Sequence, residues 1–136
     1  MSKRPHEKAP AVRWLDEPEE HDFPAARSYL ALVAGPATVD AAEAALRRAE
    51  VAHFKAKDIL RAARLEVLPA TNPHVASDLE KIRAGHPLSP VLLVRGDLGT
   101  GRPAQVADGY HRVCASYLTD ENTDIPVLIV DAPGSD

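Results

Sequence analysis

Val106-Ala107-Asp108-Gly109-Tyr110-His111-Arg112-Val113 reads as a strand that runs straight into a helix through a glycine. The extended run begins near residue 103, Asp108-Gly109 breaks it, and Val113, Ala115, Tyr117 and Leu118 supply the packing side of a helix over 110–118. Upstream, the Val- and Leu-rich residues 89–94 form a second, buried strand, joined to the first by the turn Gly96-Asp-Leu-Gly-Thr-Gly101. Before that strand, Asn72 caps a helix that has Pro73 in its first position, an apolar stripe of Val75, Leu79 and Ile82, and a stop at Gly85. A last strand is expected over 125–130. Residues 51–57 read as a short strand, Ile59, Leu60 and Ala63 as one or two helical turns, and residues 65–68 as extended chain. Strands and helices therefore alternate without a repeat, which predicts a small α+β domain whose short mixed sheet is covered by helices.

The residues ahead of this unit differ. Ala25, Tyr29, Leu30, Leu32 and Val33 fall at helical spacings before Gly35-Pro36 stops them, and Thr38 or Asp40 can cap a second helix in which Val39, Ala42, Leu46 and Ala49 share a face. The expected organisation is a flexible arm over 1–21 anchored from Trp14 onward, a helical hairpin over 22–50, the α+β unit over 51–131, and a frayed tail over 132–136. The hairpin is the natural candidate for pairing with a second copy or a partner.

At 136 residues, 45% hydrophobic and 26% charged, the chain has the composition of one globular domain. Only 4% is aromatic, so Leu, Val, Ile and close-packed Ala must build the core. A net charge of -4 argues against broad neutralisation of a nucleic-acid backbone. The basic residues at 3–8 are not followed by an apolar stretch, and no run of uncharged apolar residues is long enough to span a bilayer. With the single Cys114 unable to pair internally, a cytoplasmic location is expected.

The chemistry concentrates at the strand-to-helix junction. A helix start carries N–H groups without partners and the positive end of the macrodipole, so it stabilises an anion. Gly109 lets a ligand approach the backbone, and His111 and Arg112 add donors, the guanidinium being suited to a bidentate grip on phosphate. On the helix that begins at Pro73, His74, Ser77, Asp78 and Lys81 follow at spacings of three and four, which puts His74, Ser77 and Lys81 on the side away from the apolar stripe. The competing reading of each is plain: an ordinary Asp-Gly turn, a surface ion pair for Arg112, and a solvated helix face. The glycines at 96, 99 and 101 lack the Lys-Ser/Thr of a phosphate loop and read as a mobile hairpin turn. Six basic residues between Arg47 and Arg64 either neutralise phosphate or form the wet face of helices. No His, Cys or carboxylate spacing suggests a structural metal, and magnesium would enter with a nucleotide through one or two carboxylates.

From about Phe54 to Asp131 the sequence resembles the ParB/sulfiredoxin-like superfamily. The resemblance rests on Leu68-Pro-Ala-Thr-Asn-Pro-His74 before the first helix of that unit, on Leu88-Ser-Pro-Val-Leu-Leu-Val94 as its strand, and on Asp108-Gly-Tyr-His-Arg112 as its signature turn. It implies a nucleotide or phosphate site at the glycine-led helix start, formed by Gly109, Tyr110, His111 and Arg112, with ATP or ADP and magnesium as the implied cofactors. Sulfiredoxins carry Gly-Cys-His-Arg with a nucleophilic Cys, whereas Tyr110 stands there in this chain, and Cys114 reads as a small buried hydrophobe. Chromosome-partitioning ParB proteins carry Gly-Glu-Arg-Arg and a following helix-turn-helix domain, whereas Gly109-Tyr-His-Arg112 stands here and the sequence ends soon after the last expected strand, so a DNA clamp is not expected. The Asp-Gly-x-His-Arg form looks nearest to stand-alone members, among them free-serine kinases, so phosphoryl transfer is the activity implied. His111, Asp108 and Glu66 are then the catalytic candidates, and Ser77 and Lys81 stand in by position for a hydroxyl and a lysine that bind nucleotide phosphates in sulfiredoxins. The alternative from another class is a non-catalytic regulatory or interaction module on the same fold, and DNA binding ranks third.

Overall fold

The structure is a computed structural model, and it describes residues 11–133. Four strands, β1 (Val51–Lys55), β2 (Val91–Val94), β3 (Gln105–Asp108) and β4 (Asp124–Val130), form one mixed sheet in the order β1-β4-β2-β3. The central pair is parallel, with Val91 opposite Val127 and Val94 opposite Val130, while β1 on β4 and β3 on β2 are antiparallel. All four residues of β2 are buried. A strand covered on both faces reads as a continuous apolar run, which is why 89–94 shows no alternation.

The pleat sorts those residues into two cores. Val91, Leu93, Val106, Ile125 and Val127 pack with α3 (Ala56–Ala63), α4 (Pro73–Ala84) and α5 (Tyr110–Thr119). Leu92, Val94, Ala107 and Leu128 point the other way, onto Phe23, Ala26 and Leu30 of α1 (Asp22–Leu30) and Val39, Ala42 and Leu46 of α2 (Pro36–Arg48). The α+β class holds, and the fold has three layers. Residues 22–50 are thus one of those layers, packed on the sheet, and not an appendage to it. The apolar residues of the hairpin, which was expected to be able to pair with a second copy or a partner, are packed on the sheet. Outside that stripe, Arg27 joins the two helices by ion pairs to Asp40 at 2.9 Å and Glu43 at 2.8 Å.

Several boundaries moved for local reasons. Helix α2 starts at Pro36, with Gly35 as its cap, ahead of Thr38 and Asp40, because a proline in the first turn gives up an N–H that would have had no partner. Residues 65–68 pair with no strand among the described residues and are held instead by Leu68 N–H donating to Cys114 Sγ at 3.3 Å. Cys114 is fully buried. The Trp14 anchor is real: residue 14 bridges Leu88 in parallel, flanked by Leu15 N–H to Leu88 O and Leu88 N–H to Arg13 O, both 2.8 Å, and its ring packs on the first core. Residues 1–10 of the expected arm and 134–136 of the expected tail lie outside the described residues. Ala132, assigned to the tail from sequence, packs against the second core.

Candidate functional site

The β3-to-α5 junction has the expected form, and its chemistry is distributed differently. Gly109 adopts φ 113°, a conformation side chains rarely tolerate. A Cβ there would lie 2.9 Å from Arg112 Nη2 and 2.9 Å from Val91 Cγ2. The room that a glycine makes at this position is therefore taken by the guanidinium of its own helix, not left for a ligand.

Arg112 is built into the framework. Its Nε donates to Ser89 O at 2.9 Å, and Nη2 donates to Pro90 O and to Asp108 Oδ2, both at 3.0 Å. The expected bidentate grip on phosphate would cost these bonds, so Arg112 contributes its charge and its order rather than a free fork. Asp108 is equally committed. It pairs with Arg112, and it meets the buried carboxyl of Asp22 from α1. Burial pushes the Asp108 pKa up, against the pull of Arg112. Asp22 in turn accepts from Glu19 N–H at 3.0 Å, and Glu19 accepts from Ser89 Oγ at 3.0 Å.

What remains open is the first turn of α5. Like α1, α2 and α3 it has no side-chain cap, and among the described helices only α4 has one, Asn72 Oδ1, which accepts from His74 N–H at 2.9 Å and Val75 N–H at 3.2 Å. The backbone N–H groups of Tyr110, His111 and Arg112 thus form the positive end of α5, with no cap from the Gly109 position. His111 lies in that turn, and its ring sits 4.8 Å from the ring of His74, tilted by 41°. Burial, and next the neighbouring His74, hold the His111 pKa below the usual imidazole range, while Asp78 opposes them.

Asp78 is the residue that sequence reasoning passed over. It is buried on α4, its pKa is raised by burial, and the opposing charges are those of Lys81, Arg112, His111 and His74. Lys81 Nζ approaches its Oδ1 to 3.9 Å. The signal was present in the spacing, because His74, Asp78 and Lys81 at i, i+4 and i+7 make one helical stripe. Ser77, favoured from sequence, is exposed beside that stripe. Glu66 is exposed too, and what it brings to α5 is its backbone carbonyl, which accepts from the Tyr110 hydroxyl. Tyr110 therefore fastens residues 65–68 to the helix, and burial raises its pKa.

The gathered set is His74, Asp78 and Lys81 from α4 with His111 and the open amides of α5. Two imidazoles beside a buried carboxylate can accept or pass a proton, and the amides, Lys81 and protonated imidazoles can hold an anion. Among the described residues, no three His, Cys, Asp or Glu side chains gather as metal ligands, and no helix is long and apolar enough to cross a membrane. No family model, curated protein or solved structure matches the chain.

Proposed function

We propose that the protein binds a nucleotide or another phosphorylated metabolite at the start of α5. The observation that carries this reading is the His74–His111 ring pair, one ring of which belongs to the first turn of a helix that no side chain caps. Burial and the neighbouring His74 lower the affinity of His111 for protons, and an anion seated beside it reverses that cost. Phosphate oxygens would accept from the Tyr110 and His111 amides, with Lys81 and the imidazoles supplying charge. The resemblance of Asp108-Gly-Tyr-His-Arg112 to the ParB/sulfiredoxin-like turn supports the same ligand class. The sharper form of the proposal is phosphoryl transfer, with His111 moving the proton. Asp78 raises the proton affinity of His111 against burial, and in this reading it would also meet a magnesium ion carried in with ATP or ADP. Asp108 is tied to Arg112 and Asp22, and it supports the turn rather than the reacting group.

A second reading, a regulatory module without catalysis, is favoured by one feature: the Arg112–Asp108 pair and its carbonyl bonds serve the framework even with no ligand. Unfolding temperatures measured with ATP, ADP, CTP, GTP, pyrophosphate and phosphate, with and without magnesium, separate the outcomes. At 100 times its dissociation constant a ligand stabilises the native state by about 2.7 kcal/mol, several degrees for a domain of this size. The expected result is a shift in the wild type that is mostly lost in His111→Ala. Equal shifts in both proteins, or none in a folded wild type, would remove the proposal. Arg112→Glu is a poor probe, because it would break the framework first.

A further inference from the structure

A second concavity lies at the opposite end of the sheet. Strands β2 and β4 run parallel, and past their C-terminal ends, on the α3 side, opens a cleft of about 960 Å³. This volume suits a small molecule. Leu93, Ile129 and Ile59 form an apolar floor, with Phe54 and Leu98 beside it. Leu98 is fully exposed at the hairpin tip and Phe54 is 37% exposed, so both have apolar surface to give to an occupant.

The rim is basic. Arg61, Arg64, Arg95 and Arg102 line it against Asp58 and Asp97, in a chain whose acids outnumber its bases. The ion pairs Arg61–Asp58 at 3.3 Å and Arg95–Asp131 at 2.8 Å are largely exposed, and such pairs are weak enough to yield to a ligand anion. Arg64 is the unusual member. It ends α3 in the left-handed conformation at φ 57°, the position helices usually give to glycine, and among the described residues no other non-glycine has a positive φ. That backbone aims its guanidinium across the cleft mouth, where Nη2 donates to Gly101 O at 2.8 Å. Glycine would adopt this conformation without strain, and what arginine adds to the position is its charge at the cleft mouth.

We propose that this cleft is a separate ligand site for an amphipathic small-molecule anion, with a carboxylate or phosphate head on the arginine rim and an apolar body on the Leu93–Ile129 floor. The site does not depend on the α5 reading. The probes are octanoate, octyl phosphate and uncharged octanol, titrated into the full chain while the methyl resonances of Leu93, Ile59 and Ile129 are followed by NMR. At least one anion is expected to move these resonances saturably, at least tenfold more tightly than octanol, and the ratio of the two anions identifies the head group. Arg64→Gly is expected to weaken that anion about tenfold while leaving the unfolding temperature unchanged or higher, since the left-handed residue becomes a glycine. Silent methyl resonances, octanol binding as tightly as the anions, or unaltered anion affinity in Arg64→Gly would each overturn the proposal. So would broadening at Leu98 and Phe54 that grows with protein concentration alone, which would assign the cleft to a second copy of the chain.

Discussion

His111 carries a pH signature that falls near neutrality. Its folded pKa lies below the unfolded value of about 6.5, so between the two the unfolded chain binds more protons and stability rises with pH. The contribution is fully present above about pH 6.5 and is lost as pH falls through the folded pKa. Urea unfolding in phosphate-free buffer at pH 7.5 and 5.5 should show a loss on acidification that is smaller in His111→Gln. Added phosphate should reduce the loss in the wild type, because a protonated imidazole then has an anion. Asp78 and Asp108 act with the opposite sign. Their raised folded pKa values stabilise the protein below the ordinary carboxylate range, and that part is lost as pH rises through them. Gly109 tests the turn itself. Gly109→Ala must hold φ 113° with a Cβ pressed on Arg112 and Val91, and should cost about 2 kcal/mol in the same assay. A cost near zero would mean that the Arg112 clamp is not what the glycine serves.

At the scale of elements, what could be read from sequence was whatever local chemistry decides. Asn72, Pro73 and Gly85 punctuate α4 on their own: the side-chain cap, the fixed φ and the left-handed end at φ 76° are all properties of single residues. Asn72→Ala should therefore cost about 1 kcal/mol, read as a lower urea midpoint with an unchanged slope. The two buried strands and the glycine-led start of α5 were legible for the same reason. Non-local partners were not. That Arg112 would spend its guanidinium on Ser89 and Pro90 depends on strand order, and no spacing along the chain encodes it. Ser77 was favoured because it stands by position for a hydroxyl in the sulfiredoxin resemblance, and position alone does not show that Asp78 is the buried member of the face, with Lys81 and His74 of its own helix and Arg112 and His111 of α5 around it. The basic cleft was hidden for a related reason, because Arg61 and Arg64 meet Arg95 and Arg102 only once β2 and the hairpin are folded.

For the whole molecule, the decisive feature is that one four-stranded sheet serves two cores. Adjacent residues of β2 face opposite layers, Leu93 toward α3, α4 and α5 and Leu92 toward α1 and α2, so neither layer can leave without stripping a face of the same strand. Polar contacts cross the sheet edge as well: Asp22 of α1 meets Asp108, Asp108 holds Arg112 of α5, and Arg112 holds the chain entering β2. Such coupling predicts a single cooperative unfolding transition rather than one for residues 22–50 and another for the rest. The sole tryptophan makes this measurable, because Trp14 packs on the core opposite α1 and α2. Leu46 is 1% exposed in the α2 layer, and Leu46→Ala removes buried side-chain volume at a cost of about 2–5 kcal/mol. In that variant the urea midpoint followed by Trp14 fluorescence should fall by as much as the midpoint followed by far-ultraviolet circular dichroism. If the α1–α2 layer were a dispensable addition, the fluorescence midpoint would stay at the wild-type value while the dichroism split into two steps. Coincident shifts are expected, since the strain of an emptied site beside Leu128 and Leu92 is felt by the two strands on which the first core is built.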